Sequence, residues 1–214
     1  MGYARRSCDV FKSFLELNQQ DELDHLMLTA QIAEIAEWDN RSHLERIRRY
    51  AYILANGANV DHNEANLISF SSILHDVGKI TIPVSILHKT ANLDPDEYKI
   101  TEQHTLEGFR LLSGSGSPIL QIGAIIARTH HERWDGSGYP EGLKGEAIPL
   151  SGRIVALADV FDALSTKRPY KREVQPTEAL NLIKQSAGSL FDPKLVSIFT
   201  EKFEDINAVL RMQN

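Results

Sequence analysis

The chain has 214 residues, of which 42% are hydrophobic and 24% charged, with a formal net charge of −6. That length suits one domain with terminal extras, and the acidic balance argues against a protein that coats nucleic acid polymers, which needs clustered Lys and Arg. No apolar stretch reaches membrane-spanning length, "MGYARRSCDVFKSF" lacks the apolar core of a signal peptide, and the single Cys8 excludes an internal disulfide framework, so a reducing cytoplasm fits best.

Residues 1–22 read as a lead-in or the stub of a linker, as in an excised domain, and residues 23–214 as the domain itself. "DELDHLMLTAQIAEIAEW" is apolar over a broad arc and predicts a well-buried helix. "SHLERIRRYAYILANG" has Ser42 as N-cap with Glu45 three residues later, then Leu44, Ile47, Ala51 and Leu54 on one face and Gly57 as stop. "DHNEANLISFSSILHDVG" repeats that grammar with Asp61, Glu64 and a stop at Gly78. "DPDEYKITEQHTLEGFRLLSG" supplies Asp94 as cap, Pro95 at the first helical position and Glu97 three after the cap. Further helical patterns follow in "SPILQIGAIIARTHH", "SGRIVALADVFDALS", "TEALNLIKQSAG" and "DPKLVSIFTEKFEDINAVL". Alternating strand patterns are absent, so the fold class is all-α, a helical bundle.

One segment breaks the rhythm. Residues 132–152, "ERWDGSGYPEGLKGEAIPLSG", hold five glycines and two prolines and predict a long loop directly after "HH". Long loops inside compact domains are usually functional.

Histidines carry the chemical signal. His25, His62 and His88 read as solvated or structural. His43 opens one predicted helix, His75 and Asp76 close the next, and His104 sits in a third. His130 and His131 close a fourth, and Asp159 lies in a fifth. Bundles build metal sites from such facing side chains. Imidazole with carboxylate suits Mn, Fe, Ni or Zn, and the lack of Cys ligands argues against a structural zinc site. The adjacency of His75 and Asp76 would let one carboxylate bridge two metals, although spacing alone argues for one metal more than for two.

"HDVGKI" followed by "HHERWDGSGYPEGLKGEAIPLSGRIVALADVFDALSTKRPYK" closely resembles the HD-GYP family of bacterial cyclic di-GMP phosphodiesterases, within the HD superfamily. The likeness runs from about residue 23 to about 200, with the GYP triplet intact at Gly138, Tyr139 and Pro140. It implies an HD-superfamily bundle with a long GYP loop, and metal ligands at His43, His75, Asp76, His104, His130, His131 and Asp159. It also places Lys79 beside the metals facing the scissile phosphate, and Arg168 and Lys171 on the substrate's phosphates. Asp76 and Lys79 are the expected catalytic residues. Gly78 is expected to end its helix and turn Lys79 back toward the metals.

The implied reaction is hydrolysis of cyclic di-GMP to linear pGpG, and on to GMP if a second cut follows, by a hydroxide bridging two cations. Fe or Mn is the expected pair, with Ni, Co, Mg and Zn as alternatives. Many relatives carry a glutamate four residues before the first histidine. Here that position is Asp39, one methylene shorter, so no third cation is expected. "KITIPVSILHKTANLD" also departs from the family's usual turn. Alternatives are 3′3′-cyclic GMP-AMP as substrate, or a non-catalytic cyclic-dinucleotide receptor that signals through the GYP loop. A protein partner at that loop and a dimer are left open.

Five residues have two readings each. Asp162, three after Asp159, either orients a ligand or water or serves as a plain structural carboxylate. Trp134 and Tyr139 either pin the loop or stack on a base, Tyr139 being placed with loop structure or partner contact. Arg168 and Lys171, without the resemblance, would read as a solvated cationic turn within Lys167–Arg172. Glu107 and Glu132 are expected to be surface charges.

Overall fold

Capping chemistry starts two of the helices where the sequence asks for it. The Asp61 carboxylate accepts from the N–H groups of Asn63 (2.9 Å) and Glu64 (3.1 Å). Asp94 does the same for Asp96 and Glu97, while the Glu97 side chain accepts from the Asp94 N–H at 2.9 Å and closes the capping box.

The structure, a computed structural model, describes residues 26–28, 30–31, 40–167 and 173–212. Its helices run in the order α1 (Asn40–Gly57), α2 (His62–Ser72), a 3-10 turn (Val77–Thr81), α3 (Val84–Leu87), α4 (Pro95–Leu112) and α5 (Pro118–Thr129). A second 3-10 turn (Gly145–Ala147) precedes α6 (Leu150–Ser165), α7 (Pro176–Gln185), α8 (Pro193–Glu201) and α9 (Phe203–Arg211). Among the described residues there is no strand, and the all-α expectation holds.

Two apolar clusters hold the bundle together. The larger gathers Ile47, Tyr50 and Leu54 of α1, Ile154, Leu157 and Phe161 of α6, and Phe199 and Phe203 of α8 and α9. Phe161 meets Tyr50 and Phe199 edge-on, with ring centroids 5.5 and 5.1 Å apart, the favoured aromatic geometry. The smaller contains Leu44, Ile73, Leu74, Val77, Leu112, Ala124 and Ala127. Leu44, Leu74 and Val77 are chain neighbours of His43, His75 and Asp76. Burying them therefore fixes where those polar side chains emerge.

Three sequence expectations need correction. Ser42 is no N-cap: the described helix already runs from Asn40, so His43 lies one turn inside α1 rather than at its opening. Gly78 is no helix stop either, because α2 ends at Ser72. From there the backbone bonds reach back three residues instead of four: Leu74 to Ser71, His75 to Ser72, Val77 to Leu74, Lys79 to Asp76. The hydroxyl of Ser72 bonds the Ser69 carbonyl at 2.7 Å, the kind of side-chain competition that unsettles a helix end. Last, the single helix expected over 192–210 is two, parted at Lys202, where φ −92° and ψ 12° leave the helical range.

What Gly78 does instead is permit contact. A Cβ there would lie 1.9 Å from the His104 carbonyl oxygen and 2.5 Å from the Gly108 nitrogen. The 3-10 turn thus rests directly on the backbone of α4. Gly78→Ala should cost at least about 2 kcal/mol in denaturant unfolding, as overpacking against immovable backbone does. An unchanged midpoint would show that the turn and α4 are not in tight contact.

Candidate metal centre

The tightened turn after α2 presents His75 and Asp76 together, and four helices bring the remaining side chains to them. His43 comes from α1, His104 from α4, His130 from the C-terminal cap of α5 with His131 next to it, and Asp159 from α6. All seven expected residues fall into two groups. Asp76, His104, His130 and His131 form one, and His43, His75 and Asp159 the other. Within each group the ligand-type atoms lie within 4.8 Å of one another. The groups adjoin, since His75 Nε2 is 3.4 Å from Asp76 Oδ2.

Each ring's direction has a local cause. His75 Nδ1 bonds the Ser72 carbonyl at 2.9 Å, His104 Nδ1 the Thr101 carbonyl at 2.6 Å, and His130 Nδ1 the carbonyls of Ile126 and Ala127, both at 3.1 Å. A carbonyl only accepts, so each Nδ1 must carry the hydrogen. Each Nε2 is then a lone pair, and all three point inward. His43 Nδ1 lies 2.8 Å from the Asp162 carboxylate, which anchors that ring similarly.

The inward atoms pose a problem that protein groups do not solve. His75 Nε2, His104 Nε2, His130 Nε2 and Asp76 Oδ1 are all buried without a hydrogen-bond partner. His104 Nε2 and His130 Nε2 face Asp76 Oδ1 at 3.2 and 3.5 Å, contacts between lone pairs rather than hydrogen bonds. Buried acceptors left this way are costly. Cations placed among them would turn repulsion into coordination, so the donor set fits divalent metal of the imidazole-and-carboxylate class.

Protonation favours the same occupant. Burial holds His75 neutral, lowering its pKa from 6.5 to about 4 against the opposing pull of Asp76 and Asp159. Burial likewise lowers His131, with His130 and His104 adding to the effect. For Asp76 burial pushes upward, but the Lys79 ammonium beside it holds its carboxyl well below the ordinary range. Neutral rings and an ionised carboxylate are the forms that bind metal.

The flanking residues sort plainly. Lys79 Nζ is 2.6 Å from Asp76 Oδ2, at the half-open side of the site with His131 and Asp159. Asp162 is fully buried and bonds both His43 and Arg46, so of its two readings the ligand-orienting one has the geometry. Tyr139 stacks on His131, centroids 4.8 Å apart and planes 23° apart. Trp134 pins the loop through its backbone, bonded to Leu190 and Gly145. Glu107 pairs with Arg110 at the surface, and His88 is exposed. His62 meets Tyr52 Oη at 3.3 Å, away from both groups. Asp39, Arg168, Lys171, His25 and the 1–22 lead-in lie outside the described residues.

Two contributors escaped the sequence reading. Glu132 is buried rather than a surface charge, and its carboxylate accepts from the N–H groups of Glu141 (2.8 Å) and Leu143 (3.0 Å). A Gly-rich loop has many unused N–H donors, and an acid beside it was the signal. Gly138 seals the clamp, because a Cβ there would sit 2.4 Å from the Arg133 nitrogen. Arg46 is the other, 2% exposed and aimed at Asp162. Its signal was a cation on the same helix face as His43, three residues on.

Comparison with known proteins is consistent with this geometry. The sequence matches the HD domain family over residues 22–195. It is 44% identical over 188 residues to a cyclic di-GMP phosphodiesterase of Thermotoga maritima, covering 88% of this chain and 51% of that protein. It is 41% identical over 180 residues to the 3′3′-cGAMP-specific phosphodiesterase 2 of Vibrio cholerae, covering 84% and 34%. A crystal structure of a V. cholerae cyclic GMP-AMP-specific phosphodiesterase shares the fold with a TM-score of 0.63 at 24% identity, covering 85% of this chain and 49% of that one. The chain spans about half or less of the length of these proteins. No helix among the described residues is long and apolar enough to cross a membrane.

The depressed pKa of His75 gives a pH dependence with a definite sign. Below pH 6.5 the unfolded chain takes up a proton that folded His75 refuses until about pH 4. Stability of the metal-free protein should therefore fall with pH across that window, His131 adding in the same direction. Thermal melts in chelator would check this, and a flat profile down to pH 4 would contradict it.

Proposed function

The chain belongs to the HD domain family, and from that membership we propose that it is a metal-dependent phosphodiesterase that opens a cyclic dinucleotide. The observation that carries the reading is the pair of adjoining His/Asp groups joined through His75 and Asp76, with Lys79 against the shared carboxylate. Two divalent cations bound there would supply Lewis acidity toward phosphoryl oxygens and lower the pKa of a water.

His43, His75, Asp76, His104, His130, His131 and Asp159 hold the metals in this scheme, Asp76 serving both groups. Five neutral rings and two carboxylates would leave the loaded site cationic, which suits a cyclic dinucleotide whose two phosphodiesters carry one negative charge each. Hydrolysis breaks one P–O3′ bond: water adds OH to phosphorus and its proton goes to the departing 3′ oxygen. Lys79, on the half-open side, neutralises charge growing on the phosphoryl oxygens, where preorganised cations contribute most. Arg168 and Lys171 hold the substrate's phosphates. Cyclic di-GMP giving pGpG is the first-choice reaction, in line with the name of the Thermotoga relative. The likeness to the cGAMP-specific Vibrio protein makes 3′3′-cyclic GMP-AMP the second. Fe or Mn are the proposed metals, two per chain, and Asp39 contributes no third.

The test is an anaerobic assay of protein loaded with Mn or Fe(II) against both dinucleotides, with metal analysis of the same sample. Cleavage of either supports the enzyme; binding without cleavage in the metal-loaded protein would establish a receptor instead. Asp76→Ala should lose both metal and turnover. Lys79→Ala should keep its metal while kcat falls about 10²-fold or more, and Arg168→Ala should mainly raise KM. Metal loss in the Lys79 variant would assign that lysine to the wrong task.

Product analysis tests the two-metal count separately. Hydrolysis should stop largely at the linear dinucleotide, with Asp39→Ala leaving metal content unchanged. Three tightly held ions, or rapid release of GMP, would overturn that part.

A further inference from the structure

Three of the inward-facing rings are steered by backbone carbonyls, which every sequence provides. His43 is steered by a side chain. The Asp162 carboxylate lies 2.8 Å from His43 Nδ1 through Oδ2, and the Arg46 guanidinium grips both of its oxygens, Nε to Oδ1 at 2.6 Å and Nη2 to Oδ2 at 3.0 Å. His43 and Arg46 stand three apart on α1, and Asp159 and Asp162 three apart on α6, so each pair shares a helix face. The two aspartates bracket one imidazole. Asp162 is at Nδ1, and Asp159 Oδ1 is 3.9 Å from Nε2.

We propose that Asp162 is a positioning residue that fixes the tautomer of His43 and so sets the cation affinity of the His43–His75–Asp159 group, leaving the other group untouched. A carboxylate in a two-point grip of guanidinium can only accept, so the hydrogen stays on Nδ1 and the Nε2 lone pair faces the cation position. A carboxylate at Nδ1 also makes the ring a stronger donor than a carbonyl does, as such outer partners do for metal-binding histidines. The two groups are therefore unlike in kind. The imidazoles of His104 and His130 in one are steered by backbone carbonyls, while His43 in the other depends on a buried ion pair that substitution can alter.

The inference rests on the proposed cation loading, and two readouts separate them. In the metal-free protein, ¹⁵N NMR should find His43 protonated at Nδ1. In Asp162→Asn the amide can turn its NH2 toward Nδ1, and the hydrogen should move to Nε2. Titration with Mn²⁺ should show two cations in the unaltered protein. In the variant one should be held as before and the other weakened about 10–100-fold. Because Asp162→Asn leaves Arg46 without this carboxylate, Arg46→Met/Asp162→Asn removes both charges together and should give the same titration in a folded chain. An unaltered protein that takes up no cation would sink the two-metal reading alone, since the tautomer still decides the role of Asp162. His43 protonated at Nε2 in the unaltered protein would overturn the inference without any variant. So would a folded variant that binds both cations normally, or loses both equally.

Discussion

Four of the five clustered imidazoles are committed through Nδ1 to an acceptor that cannot give a proton back, and the remaining architecture follows from that commitment. His75, His104 and His130 are tied to carbonyls within their own turn of chain, and His43 to a carboxylate across the helix interface. The Nε2 atoms of His75, His104 and His130 converge as lone pairs around the buried Asp76 carboxylate. Folding this arrangement without a cation concentrates acceptors with nothing to accept. Cations bound there would offset that penalty and so couple metal affinity to the stability of the bundle.

The backbone is shaped to tolerate the site. The Ser72 hydroxyl and three-residue bonds end α2 early, and the tight turn that follows brings His75 and Asp76 inward side by side. Gly78 then lets the chain lie on α4, close enough that His104 and Asp76 come within 3.2 Å. Apolar neighbours hold these polar residues in place from behind. Leu44, Leu74 and Val77 belong to the smaller core, while Tyr50 and Phe161 pack beside Arg46 and Asp162 in the larger.

The GYP loop is ordered by the same economy of means. Its glycines free backbone donors, and the buried Glu132 collects two of them. Arg128 and Glu141 pair across its base, with Arg128 over the Phe109 ring at 4.6 Å. Tyr139 is thereby laid flat on His131. That contact fits the loop-pinning reading of Tyr139 and lays its ring against one side of the candidate metal centre. A partner engaging the loop would therefore press on a residue that touches the site.

Much was legible in the sequence because it is local. Helical periodicity, the Asp94 capping box and the choice of seven ligand-type side chains depend on residue type and short spacing, and the structure brings those seven together. The division into groups of four and three was not legible, nor the placing of His75 and Asp76 on opposite sides of it. Both depend on which helix faces meet. His43 and Asp162 are 119 positions apart and Arg46 and Asp162 116, so no window of sequence contains either pair. Gly78 looked like a helix stop and Glu132 like a surface charge for the same reason. A glycine's need for space and a carboxylate's need for donors are set by the neighbour that packs against it, and only the tertiary fold chooses that neighbour.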